Sequence, residues 1–367
     1  MNSNGVSQNK IIYLEVLRII AVFFVIFNHT GTDGFFLFSQ SPADTFAFWL
    51  YLFVSVFCKF SVPIFLGISG ALMLNRENEA ISRWIKRIVY MVIILFVYSF
   101  GYYICSACIN SDKVFSFSEF FKLLYSSNIS DHLWYLYLYI AFLLSLPFLR
   151  ALVKKLDNRY FIYLIALAIV FNGIIPCAEY ILNGGSVVLN SNIKVSWVIN
   201  SIVLYPCIGY YIHHRLRTEN VTKWIPFLWV VNIITILISC LMTLYQGEVT
   251  GVLSEAESQT FFSSFRVINC LTIFLTVKLF IEKHSVPDLL KTIIISLGKC
   301  TFGIYLLHIL IRKSPLYTII LEKLKEANIN DMISIIIVCI VIMAVSYLIT
   351  VILSKIPYIK KLVGISD

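Results

Sequence analysis

Apolar runs of roughly helical-span length, separated by short polar or basic stretches, fill the chain from residue 11 to residue 356. A bilayer core about 30 Å thick takes around twenty helical residues to cross, so runs of that length are read as membrane spans. Ten such runs predict ten transmembrane helices, over 11–30, 46–74, 85–109, 133–153, 160–182, 197–213, 224–246, 261–283, 292–313 and 332–356. The second is long and contains Pro63, Gly67 and Gly70 in SVPIFLGISGALML, which predicts a kink or break. Residues 113–127, KVFSFSEFFKLLYSS, mix aromatics with Lys113, Glu119 and Lys122 and predict an amphipathic segment lying on the membrane surface. No polar stretch is long enough to bury a separate core. The expectation is a single all-α polytopic domain over 1–367, with no appended soluble domain.

Composition strengthens that reading. Hydrophobic residues make up 59% of the chain and charged residues 13%, with a mean hydropathy of +0.86, whereas about a quarter of residues are charged in soluble domains. The basic residues alternate in position. Arg83, Lys86 and Arg87 lie at the entry to the third run; Arg150, Lys154, Lys155 and Arg159 lie around the fourth-to-fifth connection; Arg215, Arg217 and Lys223 lie around the sixth-to-seventh. Positive charge concentrates on the cytoplasmic side of membrane proteins, so both termini are expected in the cytoplasm of a multi-pass cell (plasma or inner) membrane protein. The net charge of +9 then reflects contact with the inner leaflet's lipids, and nucleic-acid binding has no place. Nine cysteines lie mostly in apolar runs without framework or metal-ligand spacing, and read as small core residues. No metal is expected.

Ionisable residues inside spans cost a few kcal/mol unless paired or wetted, and so mark candidate chemistry. The first run holds three: Glu15, Arg18 and His29. Arg18 and His29 are eleven residues apart, about 1100° of helix or three turns plus roughly 20°, with a rise of about 16 Å. They share one face. Glu15, three residues before Arg18, is placed to pair with it. With the N-terminus inside, Arg18 lies toward the cytoplasm and His29 toward the outer surface. His132 and His308 fall at similar outer depth, as does Arg266, which has no partner nearby in sequence and is a candidate oxyanion donor. Trp134, next to His132, suits a sugar ring as well as an interfacial aromatic belt. Ser69 reads equally as a hydrogen-bonding group or as a small residue allowing close helix contact. Glu248, Glu255 and Glu257 make the seventh connection acidic, as a solvated loop.

Taken in order, Arg18 and His29, VPIFLGISG (Val62 to Gly70), the basic entry at Arg83, Lys86 and Arg87, HLWYLY (His132 to Tyr137) and LGKCTFGIYLLH (Leu297 to His308) resemble the acyltransferase 3 family. The resemblance implies a ten-span enzyme moving an acyl group, commonly acetyl, onto an extracytoplasmic carbohydrate. It implies an acyl-CoA donor, acetyl-CoA first. In that reading Arg18, Arg83, Arg87 and Ser69 bind the donor. His29 is the general base or forms an acyl-histidine, helped by Arg18 and Glu15, while His132, Trp134, Arg266 and His308 line the acceptor site. The competing class is a transporter or exporter of a polysaccharide precursor or small polar solute, which would also use broken helices and buried charges.

Overall fold

The computed structural model describes residues 3–76, 79–109, 115–183, 189–193, 195–251, 253 and 260–365, with side chains from residue 12 onward other than those of 109, 183, 191 and 220. Lys113, Glu255 and Glu257 lie outside the described residues. Helix makes up 82% of the protein, and no strand occurs among the described residues. The chain divides into two compact units, residues 1–72 with 156–367, and residues 73–155.

In the larger unit, helix α1 (Ser3–Asn28) is the element around which the others gather. Its buried residues Leu14, Leu17, Ala21, Val22, Val25 and Ile26 recur at three- and four-residue spacing, so one apolar stripe faces neighbouring helices. The second predicted span is α2 (Phe46–Phe57), a 3-10 turn (Cys58–Phe60) and α3 (Ser61–Met73). Pro63 lacks an N–H and its ring crowds the carbonyl four residues back, at Lys59, which explains why the break falls at 58–60. Next come α7 (Asn158–Ile169) and α8 (Ile175–Asn183), joined by a π-helical turn at Val170–Ile174. The π turn includes Asn172, four residues before Pro176, and so repeats the same backbone logic. Helix α9 (Ser201–Tyr210) ends in a second π turn, Tyr211–Arg215. His213 and His214 therefore sit on helix.

The unit is completed by α10 (Ile225–Thr250), α11 (Arg266–Lys283), α12 (Asp288–Arg312), α13 (Pro315–Glu326), α14 (Asp331–Ser354) and α15 (Ile359–Leu362). Helix α1 packs on α11, α12 and α14. Small residues permit the tightest crossings. A Cβ at Gly209 of α9 would overlap the backbone of Gly67 on α3, and one at Gly70 would overlap the backbone of Pro206. Close backbone approach of this kind is how helices associate where lipid tails are as apolar as the side chains.

The smaller unit contains α4 (Ile81–Ile109), α5 (Phe117–Ser126), a 3-10 turn (Asp131–Leu133) and α6 (Trp134–Lys155). Helix α5 is the expected amphipathic segment. Ser116 caps it, its hydroxyl accepting from the Glu119 N–H at 3.3 Å, in the S-x-x-E spacing of a helix start. Phe120 is buried against Phe96 and Phe100, while Phe117, Phe121 and Tyr125 are exposed. Trp84 Nε1 donates to the Leu143 carbonyl at 2.7 Å and ties α4 to α6.

Seven helical stretches among the described residues are long and apolar enough to cross a membrane: Phe46–Met73, Ile81–Cys108, Asp131–Lys155, Asn158–Leu182, Thr222–Thr250, Asp288–Arg312 and Asp331–Ser354. The other three expected spans also fall on helix: the first on α1, whose side chains are described only from residue 12, and the sixth and eighth on helices that do not reach that measure. The α9 stretch is short, and α11 carries Arg266, Lys278, Glu282 and Lys283 within its length. The protein is a multi-pass helical membrane protein with at least seven candidate crossings.

Candidate active site

Arg18 Nη1 donates to Glu15 Oε1 at 2.5 Å on α1, as the i, i+3 spacing requires. The carboxyl is buried and rests against α12 at Gly298, where an added Cβ would overlap Glu15. Glycine is needed there because any side chain would occupy the carboxyl's place. Higher up, the helix ends at Asn28, and His29 occupies the turn that follows, its N–H bonded to the Ile26 carbonyl at 3.0 Å. The face shared with Arg18 is thus kept almost to the last residue. Thr30 anchors the turn: its hydroxyl donates to the Phe27 carbonyl at 2.7 Å and accepts from the Phe35 N–H at 2.8 Å.

His308 of α12 meets His29 there. The two rings lie 5.3 Å apart between centroids at 46°. His308 is 1% exposed, and its Nδ1 is 2.6 Å from the Tyr305 carbonyl. A carbonyl only accepts, so Nδ1 carries the hydrogen, and Nε2 of the neutral ring is a proton acceptor. Two histidines distant in sequence therefore form one imidazole pair beside the end of α1.

A cation that spacing alone did not assign binds the last residue of α1. Lys59, in the 3-10 break of the second span, donates from Nζ to Asn28 Oδ1 at 3.0 Å and lies 4.3 Å from the Phe35 ring centroid. Its signal in the sequence was a lysine in an otherwise apolar run, and the break that turns it toward Asn28 is what a linear pattern does not show. Arg266, expected without a partner, donates from Nε to the Tyr205 hydroxyl at 3.2 Å and packs over that ring at 5.7 Å. The Ser69 hydroxyl donates to the Phe65 carbonyl of its own helix at 2.8 Å, a back-bond common for serine in apolar helices. At the other end of the unit, the Tyr13 hydroxyl pairs with His213 Nδ1, and His214 Nε2 bonds the Ala71 carbonyl at 2.7 Å. Lys278 caps the second π turn by donating to the Ile212 carbonyl at 2.5 Å.

The smaller unit holds the remaining sequence candidates. His132 is buried, with Nδ1 3.0 Å from the Ser130 hydroxyl and its ring edge-on to Tyr102 at 4.9 Å. Trp134 opens α6 and is 38% exposed. Arg83 is exposed on the first turn of α4, one turn before Arg87. Glu79, which the sequence did not single out, binds Arg87 Nη2 at 2.5 Å and Arg150 Nη2 at 2.6 Å, and Arg150 Nε donates to the Met73 carbonyl at 3.0 Å. Burial pushes the Glu79 carboxyl up. The hydrogen bond from Arg150, the charges of both arginines and the bond from Arg87 outweigh that and hold it below the usual 4.5. Arg87 is thus largely committed to a carboxylate.

No curated protein and no solved structure matches the chain. A family model described as an acyltransferase domain matches residues 11–351, which takes in α1 with Glu15, Arg18 and His29, the broken second span and α12 with His308. With nearly its whole length under that one model, the chain belongs to the acyltransferase 3 family.

Proposed function

We propose that the protein transfers an acyl group, acetyl in the first instance, from a cytoplasmic coenzyme A thioester to a hydroxyl of an extracytoplasmic polysaccharide or envelope glycan, with the protein placed in the plasma or inner membrane. The observation that carries this reading is the His29–His308 pair at the far end of the helix that bears the Glu15–Arg18 ion pair. His29 accepts the proton of the attacking hydroxyl and returns it to the departing thiolate, a role suited to an imidazole, whose ring nitrogen can both take up and give back a proton. His308, locked by the Tyr305 carbonyl, holds the neighbouring ring in place. Glu15 holds the Arg18 guanidinium oriented along the donor's path. For the donor's phosphates, Arg83 is the better candidate on α4, since it is exposed while Arg87 and Arg150 share Glu79.

The broken second span and two π turns also favour a second reading, a transporter, because irregular helices line substrate paths. Purified protein incubated with labelled acetyl-coenzyme A and a soluble oligosaccharide separates the two. An acyltransferase releases coenzyme A and labels the sugar, and His29→Ala lowers that rate by about 10²–10⁴-fold. Equal rates in wild type and His29→Ala would remove the base assignment, and no thioester turnover at all would favour transport.

A further inference from the structure

Arg312, the last residue of α12, is four residues beyond His308 and so follows it on the same helix face. A cation at a helix C-terminus is unexceptional by itself, since it complements the macrodipole. The side chain, however, turns back toward α1. A Cβ at Gly31, two residues after His29, would stand 2.9 Å from Arg312 Nη2, so the guanidinium lies against the backbone of the His29 turn. Gly31 itself has φ +64°, a left-handed conformation that glycine adopts without strain. The guanidinium also lies 5.8 Å from the ring centroid of Tyr317, whose hydroxyl donates to Asp33 Oδ2 at 2.9 Å. Asp33 is thus occupied by a phenol, and no ion pair between it and Arg312 occurs among the described residues. Arg312 Nε is buried and donates to nothing among the described residues. A charged donor left in that state costs free energy unless something else takes its hydrogen.

We propose that Arg312 is a further catalytic residue, whose Nε–H receives the negative charge that develops on the acyl carbonyl oxygen during transfer at His29. The inference rests on the acyl-transfer reading of the site. The acceptor hydroxyl oxygen bonds to the thioester carbonyl carbon while its proton passes to His29. The carbonyl π electrons move onto oxygen, where Arg312 stabilises them. They then return to re-form the carbonyl as the C–S bond breaks, and the coenzyme A thiolate leaves and takes the proton from His29. A donor fixed in place before charge develops stabilises the transition state without reorganising, and removing one such donor costs about 10²–10³ in rate. Arg266, the donor suggested by sequence, has its Nε engaged by Tyr205.

The test measures coenzyme A release from acetyl-coenzyme A with a soluble oligosaccharide acceptor, for wild type, Arg312→Ala and His29→Ala in one lipid preparation. Arg312→Ala is expected to lower kcat about 10²–10³-fold with the KM for acetyl-coenzyme A unchanged. Methylguanidinium should restore part of the rate, and the same concentration of sodium chloride should not. Unchanged kcat, or a loss confined to KM with no rescue, would overturn the proposal. If Arg312→Ala does not fold, Arg312→Gln, which keeps a long polar side chain without the charge, is measured against the same kcat and KM criteria. Failure of the underlying reading looks different: His29→Ala as active as wild type, or a wild type that releases no coenzyme A, removes both. An inactive His29→Ala beside a fully active Arg312→Ala removes the Arg312 role alone.

Discussion

Glu79 draws two guanidiniums onto one carboxylate, and its side chain is only 4% exposed. Its ionised form is favoured in the folded protein, so the stabilisation is present above the ordinary carboxylate value of 4.5 and is lost as pH falls through the lower folded value. Thermal unfolding in detergent should show wild-type stability declining as pH drops below about 4.5. Glu79→Gln should lower stability at neutral pH by about 1–3 kcal/mol and flatten that acid decline. If the variant kept the wild-type acid slope, the slope would have to come from other groups. The Glu79 clamp was not legible in sequence, because its partners lie eight and seventy-one residues away. Glu15–Arg18 was legible, because helical spacing alone puts three-apart residues on one face. His29 with His308 stands between these cases: each was visible by depth, and only the packing of α1 on α12 made them a pair.

Among the elements, glycines decide how closely helices approach. Gly209 of α9 faces the Gly67 backbone, which cannot swing away as a flexible side chain would, whereas a Cβ at Gly101 of α4 would meet nothing within 4 Å. Gly209→Ala should therefore force α3 and α9 apart at a cost of about 1–3 kcal/mol. Gly101→Ala should be neutral or stabilising by about 0.5–1 kcal/mol, since a mid-helix glycine is conformationally costly. Detergent unfolding of the two variants side by side checks the pair, and equal effects would mean that the α3–α9 crossing is not tight. The same elements show where a hydrophobic pattern stops being informative. It located the second span and foresaw its irregularity at Pro63. The 3-10 segment one turn earlier, with Lys59 turned to Asn28, follows from the carbonyl that proline crowds, which apolar periodicity does not register.

For the whole molecule, the orientation expected from the alternation of basic connections, with both termini in the cytoplasm, would assign sides to everything else. With the N-terminus inside, the third span, α4, runs outward, which puts its last turn at the outer surface. Cys105 and Cys108 lie in that turn and are exposed, whereas the other seven cysteines are buried. Their thiols can therefore report sidedness without a cysteine-free background. A membrane-impermeant maleimide added to intact cells should label the protein, and Cys105→Ser with Cys108→Ser together should abolish the label. Labelling that appears only after the cells are opened would put the end of α4 inside. The orientation would then reverse, and His29 would face the cytoplasm. A base on that side cannot serve an external glycan hydroxyl, so the same labelling experiment tests the order of events proposed for transfer: donor at the Arg18 end of α1, acceptor at the His29 end.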